Sequence, residues 1–236
     1  MPEYNITHVI FDVDGLLLDT ERLFTEATQI VLSDYGKQFT WELKQRCMGK
    51  KHDESVRTLL GALQLLDKIS VHEYTAKWDA ELERLFAACQ LMPGAERLVR
   101  HLHRHDIPMA VCTGSNLKHY KIKTASHQSL FDLFHHAVIT TDDPEVPVGK
   151  PDPTCYQVCA ARFRPPPSSP SSCLVFEDAP NGVQAASAAS MHVVMVPDPR
   201  VSDADRKAAT LVLESLHDFQ PAMFALPPFC SSTCEN

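Results

Sequence analysis

Apolar residues fall along this chain in short runs that end abruptly at polar or acidic positions. His8-Val9-Ile10-Phe11 stops at Asp12-Val13-Asp14-Gly15, and Met109-Ala110-Val111-Cys112 stops at Thr113-Gly114-Ser115. Ala137-Val138-Ile139 leads to Thr140-Thr141-Asp142-Asp143, Cys173-Leu174-Val175-Phe176 to Glu177-Asp178, and Val193-Val194-Met195-Val196 to Pro197-Asp198. Short continuous apolar runs between turn signals predict buried strands. Helical patterns separate them: 95–105, with Leu98, Leu102 and Val99 along one side, 153–163, and the Ala-rich 181–189. Strands that alternate with helices predict a parallel sheet with right-handed crossovers. Such sheets bind ligands beyond the C-terminal ends of their strands. Those ends carry Asp12, Asp14, Thr113, Asp142, Glu177 and Asp178, so one edge of the sheet gathers the carboxylates.

One segment breaks the alternation. Between about 21 and 90 the pattern predicts four helices, 21–34, 41–48, 53–65 and 71–89, and no strand. The last carries an apolar stripe of Trp78, Leu82, Leu85 and Phe86. The expected division is a core of 1–18 and 92–236 with an inserted helical domain over 19–91, and Leu91-Met92-Pro93-Gly94 as the return hinge. Pro165 to Pro170 reads as a stiff connector. Phe219, Phe224, Leu226 and Phe229 are expected to anchor the tail on the core.

Composition narrows the function class. The 236 residues are 44% hydrophobic and 22% charged, as in an ordinary globular chain. The formal net charge is −8 and no Lys/Arg run is present, which argues against a nucleic-acid partner. The eight cysteines include no CxxC, and no second pair of ligands stands at zinc spacing, so they read as free thiols in a reducing compartment. A first strand near His8 leaves no room for a signal peptide, and no apolar run reaches membrane-spanning length. The expected location is cytoplasmic, with no membrane partner. The sequence does not decide the oligomeric state; a monomer is the working expectation.

Four local features carry candidate chemistry. Asp12-x-Asp14-Gly15 places two carboxylates where a strand ends, and the glycine permits a turn that brings both into one crevice. Buried carboxylates repel and need a cation, which Mg²⁺ supplies through oxygen ligands. A calcium loop is excluded by Leu16-Leu17-Leu18, which occupy the positions of further acidic ligands. Glu177-Asp178 ends another strand, either as a second acidic pair or as a helix cap before Ala179-Pro180. Lys150 in Gly149-Lys150-Pro151-Asp152-Pro153 is held by its prolines. Thr113-Gly114-Ser115 offers hydroxyls and amides that suit a phosphate oxygen, or an ordinary N-cap.

In this order and at these strand ends, the four features resemble the haloacid dehalogenase-like hydrolase superfamily, over about His8 to Leu226. The resemblance implies an α/β fold, a Rossmann-like parallel sheet core with an inserted helical cap. It implies a Mg²⁺-dependent phosphatase with Asp12 as nucleophile and Asp14 as acid and base. Thr113, Ser115 and Lys150 would bind phosphate; Asp12, Asp14, Glu177 and Asp178 would hold the metal. Asp19, Glu21, Met48, Gly49, Lys50 and Lys51 lie where such caps contact substrate. The stretches Asp14 to Glu21, Leu91 to Gly94, Asp142 to Val146 and Val175 to Val183 are similar to superfamily members of nucleotide metabolism. They imply a small phosphorylated metabolite, pseudouridine 5'-phosphate, as substrate.

A phosphosugar mutase would share all four features and return phosphate to a second hydroxyl. A non-catalytic binding protein would have little use for so many buried carboxylates. Gly114 and Asn116 stand where relatives often carry small hydroxyl residues. Ser190 occupies a helix end where glycine is usual and is expected to strain a left-handed cap. His101, His103 and His105 are expected on a solvated helix face rather than at a metal.

Overall fold

In the computed structural model, residues 4–47, 50 and 52–229 are described. The chain begins with β1 (His8–Phe11) and four helices, α1 (Thr20–Ser33), α2 (Trp41–Cys47), α3 (His52–Ala62) and α4 (Val71–Phe86). Alternation then resumes with α5 (Ala95–Arg104), β2 (Met109–Thr113), α6 (Leu117–Thr124), α7 (Gln128–Phe131) and β3 (His136–Ile139). It continues through α8 (Thr154–Ala161), β4 (Cys173–Glu177), α9 (Pro180–Ala188), β5 (His192–Met195), α10 (Asp203–Arg206) and β6 (Leu211–Val212). Two compact units result: Met1–Asp19 with Gln90–Asn236, and Thr20–Cys89.

The first unit is an α/β layer structure. Its sheet has the order β3-β2-β1-β4-β5-β6, and every pairing is parallel. Every residue of β1, β2 and β4 is buried, as strands covered on both faces must be. Ile10, Ala110, Cys112, Val138, Val175 and Val193 belong to one core cluster with Cys155, Tyr156 and Cys159 of α8 and Val183 and Ala186 of α9. Across the sheet, Phe11 stacks on Phe176 at 4.9 Å, and Phe176 meets Phe219 of the tail edge-on at 4.8 Å. Each such side chain withdrawn from water contributes about 1.5–3 kcal/mol. Chain order reverses at β1, which lies between β2 and β4. That reversal opens the crevice in which α/β sheets bind ligands.

The second unit is four helices around Val31, Leu32, Val56, Leu59, Leu60 and Tyr74, with Trp78 packed against them. Trp78 also stacks on Phe24, and its Nε1 donates to Thr28 Oγ1 at 3.1 Å. Ser70 opens α4 with a capping box. Its hydroxyl accepts from the Glu73 amide while the Glu73 carboxylate accepts from the Ser70 amide.

The structure adds to the expected elements and corrects one. β6 is only two residues long, too short for its apolar pattern to stand out. α6 shows no apolar stripe, because its buried face is made of His119, Lys123 and Thr124. His101 is not on a solvated face: the tail covers it. His101 Nε2 pairs with the Pro227 carbonyl at 2.8 Å and its ring lies 4.5 Å from Phe229. His103 and His105 remain exposed. Phe219, Phe224 and Leu226 are buried, as the tail's apolar positions anticipate. Cys230 and Cys234 lie outside the described residues.

Candidate active site

The site grows from the end of β1. The Asp12 amide donates to the Phe176 carbonyl at 3.0 Å, which extends the pairing with β4 one residue past the strand. The chain then turns. Gly15 takes φ 77°, a left-handed conformation that costs glycine little. The amides of Leu17 and Leu18 close on the Val13 carbonyl at 3.0 and 2.9 Å. Asp12 and Asp14 are thereby fixed on either side of Val13, at the mouth of the crevice.

Lys150 joins β1 to β4. Its ammonium lies 2.6 Å from Asp12 Oδ1, 2.6 Å from Glu177 Oε1 and 3.1 Å from the Cys112 carbonyl. Burial works against this charge, but Asp12 and Glu177 outweigh it and hold the ammonium well above its ordinary value. Glu177 is almost wholly buried. It also accepts the Tyr156 hydroxyl and the amides of Asp178 and Ala179, at 3.2 and 3.3 Å. Burial pushes the Asp12 carboxyl up to about 7; Lys150 opposes the shift, and Glu177 and Asp14 add to it.

Asp14 faces a different set of donors. Lys123 lies 2.5 Å from each of its oxygens, Ser115 Oγ donates to Oδ2 at 2.9 Å, and Thr113 Oγ1 donates to Oδ2 at 3.2 Å. Thr113 and Ser115, the expected phosphate ligands, are thus both on Asp14 here.

Asp12, Glu177 and Asp178 each bring a carboxylate oxygen to within 4.8 Å of the other two, the spacing of a small cation site. Four carboxylates, Asp12, Asp14, Glu177 and Asp178, stand against two ammoniums, Lys123 and Lys150, leaving a formal −2. One divalent cation would balance that charge, so this donor set fits the metal that the motif order implies.

The remaining sequence candidates are not part of this cluster. Asp142 caps α6, accepting from the Leu117 amide at 2.5 Å. Asn116 is the N-cap of the same helix and accepts from the His119 amide at 2.8 Å. Ser190 has φ 60°, the left-handed conformation expected of it. Within the helical unit, Glu21 pairs with Lys44 at 2.7 Å and Lys50 with Glu54 at 3.5 Å. Met48, Gly49 and Lys51 lie outside the described residues.

Three residues of the site went unread in the sequence. Lys123 sits among other lysines of α6 and looks like one more solvated cation. Tyr156 has no motif around it. Gly182 lies within the Val175 to Val183 stretch, yet its role is steric: a Cβ there would lie 1.9 Å from Glu177 Oε1. A glycine in the first turn of a helix that follows an acidic strand end was the available signal.

A family model described as "haloacid dehalogenase-like hydrolase" matches residues 6–190. The chain is 49% identical over 224 residues to a Drosophila melanogaster protein called "Probable pseudouridine-5'-phosphatase", covering 95% of this chain and 96% of that one. It is 46% identical over 225 residues to "(DL)-glycerol-3-phosphatase 2" of Arabidopsis thaliana, covering 95% and 93%. A solved hydrolase of Deinococcus radiodurans R1, with bound phosphate and sodium, shares the fold. Its TM-score is 0.76 at 22% identity, over 95% of this chain and 99% of that chain. Among the described residues, no helix is long and apolar enough to cross a membrane.

Proposed function

Because the chain belongs to the haloacid dehalogenase-like hydrolases, we propose that it is a Mg²⁺-dependent phosphatase acting on a small phosphate monoester, pseudouridine 5'-phosphate. The observation that carries this reading is Lys150 bridging Asp12 and Glu177 at 2.6 Å each, beside Asp178 and Asp14. A carboxylate nucleophile needs a fixed place and neutralised neighbours, and this arrangement supplies both.

In this reading Asp12 attacks phosphorus in line and becomes an aspartyl phosphate. Asp14 gives a proton to the leaving oxygen and later takes one from the attacking water. Lys150, with Thr113 and Ser115, binds phosphate oxygens. Asp12, Asp178 and the Asp14 position hold the metal, and Glu177 belongs to the same group. Glu177 already receives Lys150, Tyr156 and two amides, so its foremost task is to anchor the others. When bound, Mg²⁺ supplies positive charge that offsets repulsion between the carboxylates and the phosphate. We assign the family's cap role to the helical unit, Thr20–Cys89. The cytoplasm is the proposed location, in keeping with the free thiols Cys89, Cys112, Cys155, Cys159 and Cys173.

The test is phosphate release from pseudouridine 5'-phosphate, glycerol 3-phosphate, uridine 5'-phosphate and sugar phosphates, with Mg²⁺ or with excess chelator. Selective, chelator-sensitive release from the first supports the full proposal. Preference for glycerol 3-phosphate keeps the phosphatase and replaces the substrate. Absence of release from every ester rejects these substrates and favours a phosphosugar mutase or another ester.

A further inference from the structure

Lys123 has no part in the reaction just described, yet it is fully buried. Removing an ammonium from water is costly unless partners replace the water. Among its partners are Asp14 Oδ1 and Oδ2, at 2.5 Å each, and Ser115 Oγ at 2.6 Å. Ser115 passes a hydrogen bond onward to Asp14 Oδ2 at 2.9 Å, and its amide donates to Thr113 Oγ1 at 3.1 Å. Ammonium and two hydroxyls therefore converge on a single carboxyl group.

The helix that carries Lys123 is fixed at its start. Asn116 and Asp142 occupy its first amides. Helical side chains lean toward the N-terminus, so a lysine in the second turn reaches back over the first. That direction leads to the end of β2, where Ser115 meets Asp14.

We propose that Lys123 is a positioning residue for the leaving-group proton transfer: its ammonium, together with the Ser115 hydroxyl, holds the Asp14 carboxyl in place. The proposal rests on the phosphatase reading and on Asp14 as the acid. In the first step an Asp12 oxygen forms a bond to phosphorus and the ester P–O bond breaks. Its electron pair stays on the leaving oxygen, which takes the proton of Asp14. Asp14 is left as a carboxylate facing Lys123. In the second step water attacks the aspartyl phosphate, its proton returns to Asp14, and the Asp12–phosphorus bond breaks to release phosphate.

The experiment compares kcat/KM for two esters, an alkyl phosphate whose leaving oxygen needs a proton and p-nitrophenyl phosphate, whose leaving group does not. In Lys123→Met the alkyl ester is expected to lose about 100-fold, within the range of general-acid effects, while the aryl ester stays within about threefold. Equal losses on both esters, or none on either, overturn the proposal. If Lys123→Met does not fold, the same ratio is read in Lys123→Gln, with circular dichroism as the folding check. Asp14→Asn separates the two levels. Its selective loss on the alkyl ester upholds Asp14 as the acid whatever Lys123 does. Without that selectivity, or with neither ester cleaved by the unmodified protein, the underlying reading fails instead.

Discussion

Gly182 and Glu177 are in contact so close that a single methyl group cannot come between them. A Cβ on residue 182 would stand 1.9 Å from Glu177 Oε1 and 2.0 Å from its carboxyl carbon. Glu177 cannot swing away freely, since Lys150, Tyr156 and two amides hold it. Gly182→Ala is therefore expected to displace Glu177 and, through Lys150, Asp12. Overpacking of this kind costs about 1–3 kcal/mol. Phosphate release should fall at least about tenfold, since small misplacements of reacting groups are amplified in rate. Denaturant unfolding and kcat/KM on one ester check both; full activity in Gly182→Ala would remove Glu177 from the positioning of Asp12.

Lys150→Met leaves Asp12 and Glu177 facing one another without their shared cation. Breaking a buried pair by removing one partner costs about 3–5 kcal/mol. Tyr156→Phe removes only a neutral donor from the same carboxylate and should cost about 1 kcal/mol. Urea unfolding of the two variants, run side by side, gives the ordering. Equal stability in both would contradict the charge network described above.

Metal binding at the carboxylates is a separate question from activity. A cation that binds the folded chain alone raises its melting temperature. Mg²⁺ is expected to do so, and chelator to reverse it. Asp178→Asn should abolish most of the shift, since Asp178 is one of three clustered acids. A thermal scan with and without the ion decides, and an undiminished shift in Asp178→Asn moves the site elsewhere.

Ser190 holds φ 60° at the end of α9. The left-handed region costs a non-glycine residue about 1–2 kcal/mol, part of which glycine returns as extra freedom in the unfolded chain. Ser190→Gly should thus stabilise by about 1 kcal/mol and raise the melting temperature by about 2–4 °C. Activity should not change. A lower melting temperature would show that the serine hydroxyl matters more than its backbone.

Burial holds the His136 imidazole down at about 4, against an ordinary 6.5; the Cys159 carbonyl opposes this in part. In the fold it stays neutral while the unfolded chain takes up a proton. Its contribution to stability is complete above 6.5 and is lost as pH falls toward 4. His8, His101 and His192 are lowered too, first of all by burial, and act in the same sense. Melting temperature should decline from pH 7 to pH 5, and less steeply in His136→Gln. An identical slope in the variant would assign the acid sensitivity to other groups.

Much of the site was legible because its residues stand where chain patterns change. Asp12, Thr113 and Glu177 each end an apolar run, and a strand end in a parallel sheet is a place of known chemistry. The same logic located four helices between β1 and the return of the chain. Lys123 was not legible, for it lies 109 residues from Asp14 and its local surroundings resemble any solvated lysine-rich turn. His101 misled for the opposite reason: its helical position suggested solvent, and a tail segment 126 residues away covers it.

What the sequence by itself determined is the class of fold and the identity of the acids at the strand ends. Hydrophobic periodicity and turn residues are local properties, and they dictate local structure directly. What only the tertiary structure decided is which cation faces which carboxylate. Lys150 goes to Asp12 and Glu177, Lys123 to Asp14, and Gly182 gives Glu177 its room. Those pairings depend on strand order and on helix direction, and Coulomb attraction in a buried site acts on distance in space, which no spacing along the chain records.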